Sequence, residues 1–183
     1  MSKEREYQKR IEQFGWTELD AFWLAIKDRE TPGWPPGKAF EYLILRMFEL
    51  SGAEVRYPFS VRMHDEVIEQ LDGVVFWKSL SCLIECKDYS PGHWVDFSPI
   101  AKMRNQMLRR PASVIGSVFS TSGFTEPAII LADYTGPQTI LLWEPNEVEF
   151  SLNNRDICKG LDAKFRAFVE TGFASVNLND LDL

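Results

Sequence analysis

The spacing of apolar and polar residues along this chain changes from a helical period to an alternating one. Up to Glu30 the period is helical, and Tyr7, Ile11 and Phe14 share one face. A second helix follows, for which Thr17 is the expected cap. The segment TPGWPPG, from Thr31 to Gly37, contains three prolines and two glycines, which exclude a continuous helix. We therefore predict two N-terminal helices that end at this break.

After the break the pattern predicts a helix and then strands. Lys38 to Ser51 carries an apolar stripe at helical spacing, and Gly52 is placed to end that helix. Apolar and polar residues then alternate over residues 53–57, and again around Val61 and Met63. Such alternation is typical of strands that have one buried face.

Two further strands are expected to form an antiparallel hairpin. They are Leu71 to Phe76 and Leu80 to Lys87, and the turn between them lies at Lys78 and Ser79. The polar run HDEVIEQ before them is interpreted as a connection. Later helices are predicted at Phe97–Arg110, Phe124–Asp133 and Arg155–Thr171, and later strands at Ser113–Ser120 and Thr139–Trp143. This mixed order predicts an α/β sandwich around a central mixed sheet.

Length and composition place the chain among globular proteins. Of its 183 residues, 45% are hydrophobic and 26% are charged, which suits one folded unit. We divide it into an N-terminal helical accessory segment (1–36), a core (37–150) and a C-terminal helical extension (151–183). The net charge of −7 means that binding to nucleic acid would need a local basic patch.

The cysteines and the N-terminus indicate a cytoplasmic protein. The three cysteines have neither an even count nor a metal-ligand spacing, so a disulfide framework is not expected. The N-terminus is too charged for a secretory signal, and no apolar run approaches the roughly 18 residues of a membrane span. We therefore expect a protein with no membrane partner.

The predicted hairpin brings acidic and basic side chains together. Alternate residues of a strand point to the same side, so Glu85 and Lys87 project together while Cys86 points away. Folding the hairpin places Asp72 roughly opposite Glu85. Two close carboxylates in apolar strands repel each other, and a divalent cation would remove the conflict. Oxygen ligands favour Mg²⁺ or Mn²⁺ over zinc, and Lys87 could orient a water bound to the ion.

Glu41 is a third candidate carboxylate, on a different element. It borders the apolar stripe of the helix that begins at Lys38. It could belong to the site, or it could be a surface residue favoured by the helix dipole near the N-terminus of that helix. The residues alone favour neither interpretation.

In context, these segments resemble the restriction-endonuclease-like superfamily, the PD-(D/E)XK nucleases, and most closely its Mrr-like branch. The matching segments are GKAFEYLILRMFELSGAEV, QLDGVV, LIECKDYS, a helix, and VIGSVFSTSGFTEPAIILA, which together extend from Gly37 to Asp133. Leu71 replaces the proline that usually precedes the aspartate, and the sequence contains no recognisable target-recognition domain.

The resemblance implies a fold and a set of roles. The fold is a three-layer sandwich with a central mixed β-sheet flanked by helices. Asp72 and Glu85, with the backbone carbonyl of Cys86, would bind Mg²⁺, for which Mn²⁺ could substitute. Lys87 would position the attacking water, and Glu41 would assist. The ExK unit alone is a weak motif, and its position among the other segments gives it weight.

Further polar residues could lie around this centre. Gln70, Lys102, Gln106 and Arg104 are candidates for contacts to the metal ligands or to DNA. Arg109 and Arg110 are more simply explained as a solvated helix face. His64 and His93 lie in polar loops where surface histidines are common, although His93 with Trp94 could meet a nucleic-acid strand.

The function that the resemblance implies is Mg²⁺-dependent hydrolysis of phosphodiester bonds by an endonuclease, and the residues themselves support a cation beside a phosphate. The choice of DNA over RNA comes from the resemblance, and double-stranded, single-stranded and branched substrates, including Holliday junctions, stay open. A homodimer or a larger complex could supply specificity. The alternative is a non-catalytic nucleic-acid-binding or assembly subunit, supported by the acidic balance and the missing specificity domain.

Overall fold

The structure, a computed structural model, describes residues 3–134 and 138–181. Their helices are α1 (Lys3–Ile11), α2 (Trp16–Lys27), α3 (Lys38–Leu50), α4 (Ser98–Met107), α5 (Glu126–Asp133), α6 (Pro145–Asn154) and α7 (Ile157–Thr171). Their strands are β1 (Glu54–Arg56), β2 (Phe59–Met63), β3 (Glu66–Leu71), β4 (Gly73–Trp77), β5 (Leu80–Lys87), β6 (Val114–Ser120) and β7 (Ile140–Trp143). A short 3-10 helix at Leu178–Asp180 follows. None of these helices combines the length and the apolar character that crossing a membrane requires.

A five-stranded mixed sheet forms the centre of the molecule. Its strand order is β1-β4-β5-β6-β7. Strands β1, β4 and β5 pair antiparallel, whereas β6 and β7 continue the sheet in parallel. The predicted β4–β5 hairpin and the predicted mixed sheet are confirmed.

Helices cover both faces of the sheet and make three layers. Alternate residues of β5 show the division, because Cys82 and Ile84 pack toward one layer and Leu83 toward the other. The first layer contains α1, α2, α3, α6 and α7, and the second contains α4 and α5. Glu85 and Lys87 follow the alternation of Leu83, so they project toward the α4 side of the sheet.

Gly73 permits close packing at the start of β4. A Cβ atom at this position would lie 3.1 Å from the carbonyl oxygen of Arg56 and would overlap the side chain of Leu45 on α3. A larger residue would therefore push β4 away from α3. This tight contact fixes the backbone immediately after Asp72.

The N-terminal segment packs against α3 through aromatic rings. The ring centroid of Trp34 lies 5.3 Å from that of Tyr7 and 5.4 Å from that of Tyr42. Tyr42 in turn lies 5.4 Å from Tyr57. The division of the chain at residues 36 and 150 remains a prediction, and residue 150 lies within α6.

Three local predictions differ from the structure. Helix α2 begins at Trp16 with Gly15 as its cap, so Thr17 is not the cap; the carboxylate of Glu18 accepts a hydrogen bond from the Gly15 amide (2.9 Å). The polar run around Glu66 is a strand, β3, rather than a connection. Helix α6 was not predicted at all.

Candidate active site

Strands β4 and β5 place the carboxylates of Asp72 and Glu85 at the same end of the sheet. Gly73 pairs with Ile84, so the next pair beyond it is Asp72 and Glu85. Oδ2 of Asp72 accepts a hydrogen bond from the amide of Cys86 at 2.8 Å, which ties its carboxylate to β5. The sequence therefore positions Asp72 through the register of a local hairpin.

Glu85 is the buried centre of a small ionic network. Its side chain is only 1% exposed. Nζ of Lys87 lies 2.6 Å from Oε1, and Nζ of Lys102 lies 2.8 Å from Oε2. A buried carboxylate is unfavourable without such partners, so these two ammonium groups stabilise its charge. Lys102 reaches Glu85 from α4, on the face of the sheet toward which Glu85 projects.

The local environment shifts the protonation of Asp72. Burial, and then the negative charge of Glu85, raise the pKa of Asp72 to about 6, against the opposing effect of the Cys86 amide. Burial by itself would lower the pKa of Lys87, but the charge and hydrogen bond of Glu85 outweigh it and raise that pKa. The arrangement therefore disfavours two ionised carboxylates and favours a positive charge beside them.

Glu41 lies near enough to Asp72 for their charges to interact. Burial, and then the charge of Asp72, raise the pKa of Glu41 to about 7. Nζ of Lys38 lies 2.7 Å from Oε2 of Glu41 and opposes this shift. Lys38 was missed in the sequence, although its spacing of three residues from Glu41 on one helix was a signal for the pair.

The other sequence candidates occupy different positions around the centre. Lys102 contacts Glu85, whereas Arg104 on the same helix is exposed. The side chain of Gln106 is 4% exposed, and its Nε2 donates to the backbone carbonyl of Gln70 at 3.2 Å. Among the described residues, Oε1 of Gln106 has no hydrogen-bond partner. The side chain of Gln70 is exposed, so the structure brings its backbone, rather than its side chain, to α4.

Several charged residues near the centre are engaged elsewhere. Arg109 and Arg110 both pair with Glu69 on β3, at 3.2 and 2.7 Å. Asp88, directly after Lys87, pairs with Arg29 of the N-terminal segment. Arg110 is therefore largely buried against Glu69, whereas Arg109 is solvent-exposed, as predicted.

The donor chemistry of the centre suits Mg²⁺ or Mn²⁺. Within residues 3–134 and 138–181, no group of three or more His, Cys, Asp or Glu side chains is arranged to hold a metal. Magnesium, however, is commonly bound by one or two carboxylates with water molecules completing its shell. The carboxylates of Asp72 and Glu85, next to the Cys86 backbone, provide that set of oxygen donors.

Comparison with known proteins identifies the fold. No family model matches the chain, and no curated protein matches it. The small subunit of the heterodimeric restriction endonuclease R.BspD6I is similar in structure, with a TM-score of 0.57 and 12% identity over 89% of this chain and 92% of that one. The DNA modification-dependent restriction endonuclease AspBHI has a TM-score of 0.50 and 16% identity over 93% of this chain and 43% of that one. The chain therefore spans less than half the length of AspBHI. The fold of the chain is restriction-endonuclease-like.

Proposed function

We propose that the chain is a metal-dependent endonuclease that hydrolyses phosphodiester bonds of DNA. The observation that carries the proposal is the adjacency of the Asp72 and Glu85 carboxylates, with the ammonium of Lys87 2.6 Å from Glu85. Two carboxylates and one ammonium group thus lie together at one end of the central sheet of a restriction-endonuclease-like fold. A fold alone does not define a function, so the proposal depends on these side chains.

Mg²⁺ is the proposed cofactor, and Mn²⁺ is expected to substitute for it. Asp72, Glu85 and the Cys86 carbonyl would hold the ion, which would polarise a phosphate and lower the pKa of a bound water. Lys87 would orient the nucleophilic water and offset negative charge that develops at phosphorus. Glu41 would order the water molecules near Asp72, and its hydrogen bond to Lys38 holds it in place.

The substrate and the partners follow from the resemblance. We propose DNA as the substrate, which includes branched DNA such as Holliday junctions, and we assign the chain to the Mrr-like branch. Support comes from the segments between Gly37 and Asp133 and from the two endonucleases of similar fold. A homodimer or a larger complex would supply specificity, and one of the similar structures is itself a subunit of a heterodimer. We place this activity in the cytoplasm.

A plasmid cleavage assay tests the proposal. We expect the wild-type protein to cut DNA in the presence of Mg²⁺ or Mn²⁺, and the Lys87→Ala variant to lose at least about 100-fold in rate. Lys159→Ala is the matched control, because this exposed lysine lies on α7. Absence of cleavage by the wild type, or equal cleavage by Lys87→Ala, would contradict the proposal.

The second candidate function is a non-catalytic nucleic-acid-binding or assembly subunit. The observation that favours it is the pair of lysines on Glu85, because Lys87 and Lys102 together compensate this carboxylate without a metal ion. A protein of this kind would bind DNA or a partner equally well with and without Mg²⁺. Metal-independent binding without cleavage would favour it over the nuclease.

A further inference from the structure

A hollow of about 460 Å³ is formed by residues that follow Lys87 in the chain. It is lined by Asp88, Tyr89, Ser90, His93 and Trp94. Asp88 follows Lys87 in the chain, so the hollow begins where β5 ends. The hollow is therefore built from residues that directly follow the proposed catalytic lysine.

Aromatic side chains are exposed in the segment that lines this hollow and directly after it. Trp94 is 61% exposed, Phe97 is 53% exposed and Tyr89 is 38% exposed. Large aromatic rings gain free energy when they are removed from water, so three exposed rings within nine residues are unfavourable for the isolated protein. Exposed aromatic clusters of this kind are typical of binding surfaces.

The exposure of Trp94 is imposed by a backbone that is fixed on both sides. The backbone amide of Val95 donates to the carbonyl of Gly123 at 2.9 Å, and the carbonyl of Val95 accepts from Thr125 at 2.9 Å. The hydroxyl of Ser122 donates to the carbonyl of His93 at 2.7 Å. Because Val95 is buried and His93 is tied down, Trp94 is held outward in advance of any ligand.

Polar groups beside the exposed rings suit a ligand that offers both an apolar face and hydrogen-bonding atoms. The carboxylate of Asp88 is paired with Arg29, and that of Asp96 accepts a hydrogen bond from the Ser98 amide at 2.9 Å. On the helix that follows Phe97, Arg104 is exposed, whereas Lys102 pairs with Glu85. The hydroxyl of Ser90 and the imidazole of His93 provide hydrogen-bonding groups beside the rings.

We propose that this hollow binds an unpaired nucleotide of the DNA strand next to the bond that is cut, with its base stacked on Trp94. The inference rests on the proposed nuclease function. A base in a duplex is stacked on its neighbours and cannot present its face to a protein ring, whereas an unpaired base can. The proposal predicts a preference for DNA that has unpaired bases beside the cleavage site over fully paired DNA.

A binding experiment tests the hollow without requiring cleavage. Fluorescence anisotropy would compare a single-stranded oligonucleotide with a duplex of the same sequence, at low salt and with EDTA present. We expect the wild type to bind the single strand more tightly, and Trp94→Ala to lose about 5- to 100-fold in affinity for it while losing little for the duplex. Trp94→Phe should recover most of the affinity, because it keeps a ring.

Phe173→Ala is the matched control, because Phe173 is 58% exposed but lies outside the hollow. We expect it to bind both oligonucleotides as the wild type does. The inference would be overturned if Trp94→Ala bound the single strand as tightly as the wild type, or if it lost affinity equally for the single strand and the duplex. Self-association of the wild-type protein that Trp94→Ala abolishes would also overturn it.

The two proposals can fail separately. If Trp94→Ala lost affinity only for the single strand but the wild-type protein cut no DNA, the nucleotide site would be supported and the proposed nuclease function contradicted. If the wild type cut fully paired DNA in a metal-dependent reaction and Trp94→Ala cut it at the same rate, the nuclease function would be supported and the nucleotide site overturned.

Discussion

Nζ of Lys102 on α4 lies 2.8 Å from Oε2 and 3.0 Å from Oε1 of Glu85 on β5. The ammonium group thus contacts both oxygens of a carboxylate that is proposed to bind a metal ion. Because Lys102 is 45% exposed, it can move into solvent more easily than the buried Glu85 can. An incoming cation would therefore compete with Lys102 for the same side chain.

Removing Lys102 should strengthen metal binding. We expect Lys102→Met to bind Mn²⁺ about two- to fivefold more tightly than the wild type in calorimetry, because a partly exposed ion pair contributes about 0.5–1 kcal/mol. Arg104→Met, on the same helix and of the same charge, should leave the affinity unchanged. If both variants bound Mn²⁺ more tightly by the same factor, the effect would come from net charge rather than from competition for Glu85.

Asp72 should be required for the metal site. We expect Asp72→Asn to abolish the heat of Mn²⁺ binding, since an amide replaces a charged oxygen ligand. Asp65→Asn is the control, because Asp65 lies in an exposed turn between β2 and β3. Unchanged binding in Asp72→Asn would show that the metal binds elsewhere.

The metal-free protein should lose stability as the pH rises. Asp72 has a raised pKa of about 6 in the folded chain, against an ordinary value of 3.8, so between these values the folded state holds more protons than the unfolded state. The free energy of unfolding should fall through this range and, because the pKa of Glu41 is about 7, continue to fall to about pH 7.

Urea unfolding in EDTA at several pH values would measure this effect. Asp72→Asn should flatten the pH profile and be about 1–2 kcal/mol more stable than the wild type above pH 7, because it removes an unfavourable charge and can still accept from Cys86. Asp65→Asn should keep the wild-type profile. A wild-type profile that rises with pH would contradict the burial argument for Asp72.

A buried ion pair should stabilise the C-terminal part of the chain. Lys164 and Glu147 are each 1% exposed and form an ion pair, and Nζ of Lys164 also donates to the carbonyl of Val176 at 2.6 Å. We expect Lys164→Met to lower the free energy of unfolding by about 3–5 kcal/mol, because it leaves a buried carboxylate without its partner. Denaturant titration would measure this change.

An exposed ion pair provides the comparison. Arg166, 73% exposed, pairs with Asp162 on the same helix, so Arg166→Ala should lower stability by less than about 1 kcal/mol. The double variant Glu147→Gln with Lys164→Met should recover much of the stability lost in the single one. If Lys164→Met lowered the free energy of unfolding by no more than Arg166→Ala does, the buried pair would not be stabilising.

The elements that could be predicted are those whose pattern is local. The short apolar runs of β4 and β5 and the turn at Lys78 are contained within a few residues, so the hairpin and the juxtaposition of Asp72 with Glu85 followed from the sequence. Strand β3 could not be recognised, because most of its side chains are exposed and no apolar alternation marks it. Helix α6 begins with Pro145 and has few buried apolar residues, which weakened its helical period.

The contacts that could not be predicted join distant parts of the chain. Lys102 meets Glu85 across 17 residues, and Glu147 meets Lys164 across the same separation. Neither spacing belongs to one helix or one strand, so only the folded sheet brings the charges together. The catalytic roles of Asp72, Glu85, Lys87 and Glu41 remain predictions for the experiments above.

The ion pair between Arg29 and Asp88 joins the end of the N-terminal helices to the residue after Lys87. Arg29 has a positive φ of 62°, a left-handed conformation that is uncommon for a residue other than glycine. A shift of this turn would move Asp88 and, through the backbone, Lys87. A random screen for inactive variants should therefore return changes in α2 as well as in the strands, although no residue of α2 is expected to touch DNA.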